Sequence, residues 1–154
     1  MDRVFRISAG AIVVDRGRLL LVRYRDASGG RGYLVAPGGG IESDESLAQT
    51  AVRETKEETG IEVVPTRIIC VEDLISRRKR IVKTWFLCRK VGGRLARTPG
   101  AAEEGIVEVG WYRRPDLDHE VVYPAIVLGT DWSLLAKPHW ETRHIESRDP
   151  ESDF

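Results

Sequence analysis

Three glutamates, Glu54, Glu57 and Glu58, stand close together in the run Arg53-Glu54-Thr55-Lys56-Glu57-Glu58-Thr59-Gly60. At this spacing their carboxylates lie on one side of a helix, because three or four residues make about one turn. A helix is predicted here on independent grounds. Ser46-x-x-Gln49 has the form of a capping box, and Gly60 can take the left-handed conformation that closes a helix. At roughly 100° per residue, Leu47, Ala48, Ala51, Val52 and Thr55 form one face. The glutamates fall on the neighbouring arc, at the border of core and solvent, while Gln49, Arg53 and Lys56 point away. Glu54 and Glu58 repel across one turn, and Glu57 and Glu58 oppose the helix dipole at its negative end. A divalent cation reverses that sign, since hard Mg²⁺ or Mn²⁺ takes several oxygen ligands and leaves room for phosphate oxygens. The competing reading is an acidic helix end bathed in solvent. Just upstream, Gly38-Gly39-Gly40 reads either as a flexible turn or as a place where a backbone carbonyl can approach a metal.

The spacing of the surrounding residues resembles the Nudix hydrolase family. Gly39, Glu45, Arg53-Glu54, Glu57-Glu58, Gly60 and Ile61 stand at the intervals of the Nudix box, and Pro37 precedes its glycines as in the family. Thr55 departs from the usual larger apolar residue, and Asp44 stands where glycine is frequent. The resemblance implies an α/β/α sandwich, a mixed β-sheet flanked by helices. It implies Mg²⁺, with Mn²⁺ as a substitute, held by Glu54, Glu57 and Glu58 and by a carbonyl of Gly38 or Gly39. Many members bring one further glutamate from a loop before the last strand, which here favours Glu104 over Glu103. Glu45 and Arg53 then brace the loop against the helix. Glu45, Arg53, Glu54, Glu57 and Glu104 thus form the catalytic set, with the general base open among Glu54, Glu57, Glu58 and Glu104. The implied reaction is hydrolysis of the diphosphate bond in a nucleoside diphosphate linked to another group: ADP-ribose or another nucleotide sugar, a nucleoside triphosphate or a dinucleotide. A Pro or Tyr sixteen to eighteen residues past the box marks two of the family's substrate classes. Here that place holds Arg77-Arg78-Lys79. A catalytically silent Nudix domain that senses a nucleotide or binds a partner is the alternative, although intact carboxylates argue against it. An isoprenoid diphosphate isomerase is a weaker third option, because it calls for a reactive cysteine.

The elements that must hold these residues read mostly as strands. Phe5 to Val14 is one, with Ala9, Gly10 and Ala11 small enough for a close neighbour. Arg18 to Tyr24 is almost continuously apolar and so is expected to be covered on both faces. Tyr33 to Ala36 delivers the chain to Pro37. Ile61 to Ile75 and Arg80 to Val91 read as a hairpin whose basic tip, Arg77 and Arg78 included, is a weak candidate for substrate phosphate. Edge-protecting charge explains the tip equally well. Trp85 is a candidate stacking platform for a base or simply core, and Val107 to Tyr112 is a last strand. A helix is expected from near Tyr123-Pro124 through Ala136, covering one sheet face.

The 154 residues predict one domain over 1–142, followed by a polar tail, 143–154, expected to fray. Lysine plus arginine equals aspartate plus glutamate, so no overall field draws the chain to nucleic acid or membrane. The expected partner is a small nucleotide, with a homodimer left open. No apolar run approaches the ~18 residues of a transmembrane helix, and the N-terminus lacks a signal-peptide core. Cys70 and Cys88 lie in apolar strand segments, which suits buried thiols in a reducing cytoplasm.

Overall fold

The computed structural model describes residues 2–149. Its centre is strand β1, Val4–Asp15, which pairs in parallel with β6, Lys79–Gly93, from Val4↔Lys79 to Val13↔Cys88. The other edge of β1 is shared. At Val14 and Asp15 it pairs with β2, Arg18–Tyr24, whereas at Ser8 to Gly10 it pairs with the three-glycine strand β4, Gly38–Gly40. The sheet therefore forks along β1, and the glycine turn lies in the fork. The full order is β8-β3-β2-β1-β6-β5-β9, with β7 paired to β2. Here β3 is Tyr33–Val35, β5 is Ile61–Ser76, β7 is Ile106–Tyr112, β8 is Val122–Tyr123 and β9 is Arg143–Asp149. The result is a mixed sheet flanked by helices, as the resemblance implied.

Alternation along β1 divides the core. Ala9, Ala11 and Val13 pack with Leu20, Phe86 and Ala51 beneath helix α1, Leu47–Thr59. Ile12 faces the other way, into a layer with Leu19, Leu21, Trp85, Val127 and Leu135. Strand β2 is enclosed on both sides, since Leu19, Leu20, Leu21 and Val22 are all buried. Among the described residues, no helix is long and apolar enough to cross a membrane.

Two expectations fail. The helix foreseen from Tyr123 is broken into β8, the single turn α3 at Ile126–Gly129, and a 3₁₀ turn at Trp132–Leu134. Tyr123 is held in register with Val35, and the Asp131 side chain caps a new turn by accepting from the Ser133 N–H. The Arg114 guanidinium donates to the carbonyls of Val127, Leu128 and Thr130, satisfying groups that a longer helix would have used. The polar tail also behaves differently: 143–149 is not frayed but forms β9, parallel to β5 from Cys70↔Arg143 to Ser76↔Asp149. Trp140 and Thr142 lead the chain there by donating to the carbonyls of Ile69 and Ile68. Backbone pairing needs no apolar side chains, and a charged strand suits a sheet edge. The rest of the expected tail, 150–154, lies outside the described residues.

Candidate active site

Helix α1 begins with the reciprocal cap its sequence calls for. The Gln49 N–H donates to Ser46 Oγ at 3.1 Å, and the Ser46 N–H donates to Gln49 Oε1 at 2.8 Å. It ends at Gly60 with φ of 76°. Its phase against the sheet differs from the expected one. The buried stripe is Ala51, Glu54, Thr55, Glu58 and Thr59, an i, i+3, i+4, i+7, i+8 series. Glu54 and Glu58 thus belong to the core-facing side, 6% and 1% exposed, and not to its border. Thr55, where a larger apolar residue is usual, is buried with its hydroxyl donating to the Ala51 carbonyl at 2.7 Å. Glycine in β4 makes room for this. A Cβ on Gly39 would lie 2.5 Å from Glu54 Oε1, and one on Gly38 would lie 2.7 Å from the Ala9 carbonyl oxygen.

Arg53 ties the glycine strand, the loop and the helix together. It donates to Glu45 at 2.6 Å, Glu54 at 2.9 Å, Glu57 at 3.0 Å and the Gly40 carbonyl at 3.1 Å. Burial works against its charge, but the hydrogen bonds to Glu45 and Glu54 outweigh this and raise its pKa. The same guanidinium lowers the pKa of Glu45 against the effect of desolvation.

The third carboxylate comes from far along the chain. Helix α2, Pro99–Glu103, is capped by Thr98, whose oxygen accepts from the Ala101 N–H and whose hydroxyl donates to the Glu57 carbonyl. That contact fastens α2 to the end of α1 and places Glu104 beside Glu54 and Glu58. One oxygen from each of the three lies within 4.8 Å of the others. Among the described residues, Glu54 Oε2 and both Glu58 oxygens are buried without a well-formed hydrogen bond, although the Gly38 N–H lies near enough to Glu58 to act on its carboxylate. Burial pushes the Glu58 carboxyl up to about 9, with the Glu54 charge adding to the effect and Lys83 opposing it. Burial also raises Glu104, helped by the charges of Glu54 and Glu57. Buried carboxylate oxygens left unpaired cost several kcal/mol unless a proton or cation meets them. All the donors are hard oxygens, so the residues present fit a magnesium-like ion. A cleft of about 470 Å³ lined by Glu57, Glu58, Thr98 and Glu104 opens onto them.

Glu57 lines the same cleft but is not one of the three converging carboxylates: its side chain is half exposed and pairs with Arg53. Other candidates lie apart from this cluster. Trp85 is no exposed platform: it is 1% exposed, its ring fills the space that a Gly10 side chain would need, and its Nε1–H donates to Glu72 at 2.6 Å. Arg77 and Arg78 turn the hairpin where β6 meets Val4, roughly 20 Å along β1 from Gly10. Cys70 and Cys88 are buried, and desolvation pushes both thiols up to about 12, so neither is a ready nucleophile. A larger cleft, about 690 Å³, is lined by Arg23, Arg31, Glu108 and Glu120, but these charges already pair with one another. Two residues beside the site had no signal in the sequence. Burial raises the pKa of Tyr24, and the charges of Glu58, Glu104 and Glu54 add to it. Lys83 lies in the same field from the opposite side. Both are ordinary strand residues until the fold brings them to the carboxylates.

The NUDIX domain family model matches residues 4–127. The chain belongs to the NUDIX family. Among its relatives, the 8-oxo-dGDP phosphatase NUDT18 of Mus musculus is 33% identical over 87 residues, 56% of this chain and 26% of that protein. The uncharacterized Nudix hydrolase YvcI of Bacillus subtilis is 34% identical over 88 residues, 56% of this chain and 52% of that protein. The match thus spans a quarter to a half of these relatives' lengths. An ADP-ribose pyrophosphatase from Streptococcus suis superposes with a TM-score of 0.68 at 26% identity, covering 90% of this chain and 98% of that one. A NUDIX hydrolase from Nitrosomonas europaea, 18% identical, shares the fold with a TM-score of 0.71 over 96% of this chain and 82% of that one.

Proposed function

We propose that this NUDIX chain is a metal-dependent hydrolase that cleaves the diphosphate bond of a nucleoside diphosphate carrying a further group. The observation that carries this reading is the convergence of Glu54, Glu58 and Glu104 around buried oxygens that no cationic side chain and no well-formed hydrogen bond among the described residues satisfies. Glu54, Glu58 and Glu104, with a carbonyl of Gly38 or Gly39, would hold Mg²⁺ or Mn²⁺. The bound cation supplies charge neutralisation at the phosphate oxygens and a more acidic water. Glu57 joins only through its exposed carboxylate, after release from Arg53. Arg53 and Glu45 keep the glycine strand and helix in one alignment. Glu104 accepts the proton of the attacking water: it is the exposed member of the cluster, and burial raises its pKa, which makes it a better base than an ordinary glutamate. The water oxygen attacks phosphorus as the bridging P–O bond breaks, and the leaving phosphate takes the electron pair. Two similar proteins, an 8-oxo-dGDP phosphatase and an ADP-ribose pyrophosphatase, are named for substrates that share a nucleoside diphosphate unit. Exposed Tyr33 and Tyr123, ring centroids 5.7 Å apart, offer aromatic surface for its base.

The test is phosphate release from ADP-ribose, nucleoside di- and triphosphates and dinucleotides, with Mg²⁺, Mn²⁺ or EDTA. Turnover of at least one nucleotide with metal and none in EDTA is expected. Full turnover in EDTA, with metal content checked, would end the metallohydrolase reading. A bound nucleotide that stays intact with Mg²⁺ would make the chain a sensor.

A further inference from the structure

Lys83 is a cation that the fold holds beside the carboxylates without giving it an ion pair. It stands on β6 between Ser8 of β1 and Glu72 of β5. Thr84 and Phe86 are buried, and Phe86 packs under α1, so alternation sends Lys83 and Trp85 to the other face. There the Lys83 ammonium lies 4.3 Å from the Trp85 ring centroid. The ring is a fixed support, locked by its bond to Glu72 and by close packing on Gly10. Lys83 then runs alongside β4: a Cβ on Gly38 would come within 3.2 Å of its Cε. Among the described residues, no carboxylate lies within ion-pair distance of Nζ; burial lowers its pKa, and the charges of Glu58, Glu72 and Glu54 oppose that only in part.

A desolvated ammonium held mainly against a ring face is weakly satisfied, since a cation–π contact replaces only part of its hydration. If it served only to balance Glu54 and Glu58, direct ion pairs would do so better. The glycines at 10 and 38 make space for Trp85 and the lysine stem, and so bring the charge to the fork where the carboxylates converge. We propose that Lys83 is a substrate-binding residue whose ammonium contacts a diphosphate oxygen, reaching the site past Gly38 from the sheet face opposite helix α1. This rests on the hydrolase reading and names a further residue for it. A flexible stem with a compact point charge suits a phosphate oxygen whose position shifts as the anhydride bond breaks.

The experiment compares wild type with Lys83→Met, Lys83→Gln and Lys83→Arg in calorimetric titrations with ADP and with inorganic pyrophosphate, each with excess Mg²⁺. Melting curves establish that each variant is folded. Lys83→Met and Lys83→Gln should bind both ligands at least ~10-fold more weakly, because the ammonium reads the diphosphate and not the base. Lys83→Arg should recover part of that loss. On any nucleotide the wild type turns over, KM should rise by more than kcat falls. A purely structural counter-charge gives the opposite pattern: ligand affinity within twofold of wild type, and tighter Mg²⁺ binding because a competing cation has gone. That pattern, or a loss confined to ADP, overturns the proposal. Failure of the wild type to bind either ligand or to hydrolyse any nucleotide would instead remove the hydrolase reading, and this inference with it.

Discussion

Glu58 is a buried acid and Glu120 a partly buried one, and their surroundings are opposites. Glu120 receives two hydrogen bonds from Arg23, at 3.0 and 3.1 Å, and one from Arg31 at 2.7 Å. Those arginines, Arg23 first, hold its pKa below the ordinary carboxylate range. Glu58 has a like charge from Glu54 beside it, a lysine beyond ion-pair reach, and two oxygens without a well-formed hydrogen bond among the described residues. Where only structure is required, the chain supplies the counter-charge itself. At Glu58, which the proposed function assigns to a cation, the counter-charge is left out and the free protein bears the strain. That difference also explains why the larger, arginine-lined cleft is the weaker candidate: Arg23 and Arg31 there already pair with Glu108 and Glu120.

The largest effect that can break the comparison is on activity. Glu58→Gln should lower kcat at least ~10²-fold, equivalent to roughly 2.7 kcal/mol of transition-state stabilisation. The same variant without metal should melt no lower than wild type near neutral pH, because it removes a strained acid and no ion pair. Its Mg²⁺-induced rise in melting temperature should shrink. Equal shifts in the two proteins would show that Glu58 does not bind the cation.

Glu120→Gln should do the reverse. Removing the acceptor of this part-buried charged pair costs about 1–2 kcal/mol, since Arg23 is left with less to offset its desolvation. Denaturant melts should report that loss while kcat stays within about twofold of wild type. A kcat collapse with unchanged stability would mean that the arginine cleft, not the carboxylate cluster, performs the chemistry.

The pH dependence sharpens the contrast with a smaller signal. Without metal, folded Glu58 binds its proton up to about pH 9, whereas the unfolded chain releases it near 4.5. The folded state therefore holds more protons between those values, and its stability falls as pH rises through them. Glu120 contributes with the opposite sign. Its stabilisation is complete above the ordinary carboxylate range and is lost as acid protonates the folded form. Metal-free melting temperatures should decline from about pH 6 to about pH 9, and saturating Mg²⁺ or Glu58→Gln should flatten that slope. A flat metal-free profile in wild type would show that Glu58 is already ionised and compensated.

The sequence alone determined what depends on near neighbours. The Ser46/Gln49 cap, the Gly60 stop and the helix between them follow from local hydrogen bonding and the freedom of glycine at positive φ. The β2 span and the β5–β6 hairpin follow from apolar runs and the turn between them. The Nudix spacing added the family, since so many fixed intervals seldom coincide by chance. Tertiary structure decided the rest, because it depends on what lies across the sheet. Helix periodicity orders the residues around α1 but does not set which way the helix is rolled. Packing on β1 and β4 rolled Glu54 and Glu58 inward and left Glu57 in solvent. Glu104 joins them only because Thr98 bonds to the end of α1 from forty-one residues away. Trp85 became a support when Gly10 opened space for its ring, and polar residues 143–149 became a strand because β5 still had an edge to pair. In each case the deciding partner is distant in the chain, and no local propensity encodes it.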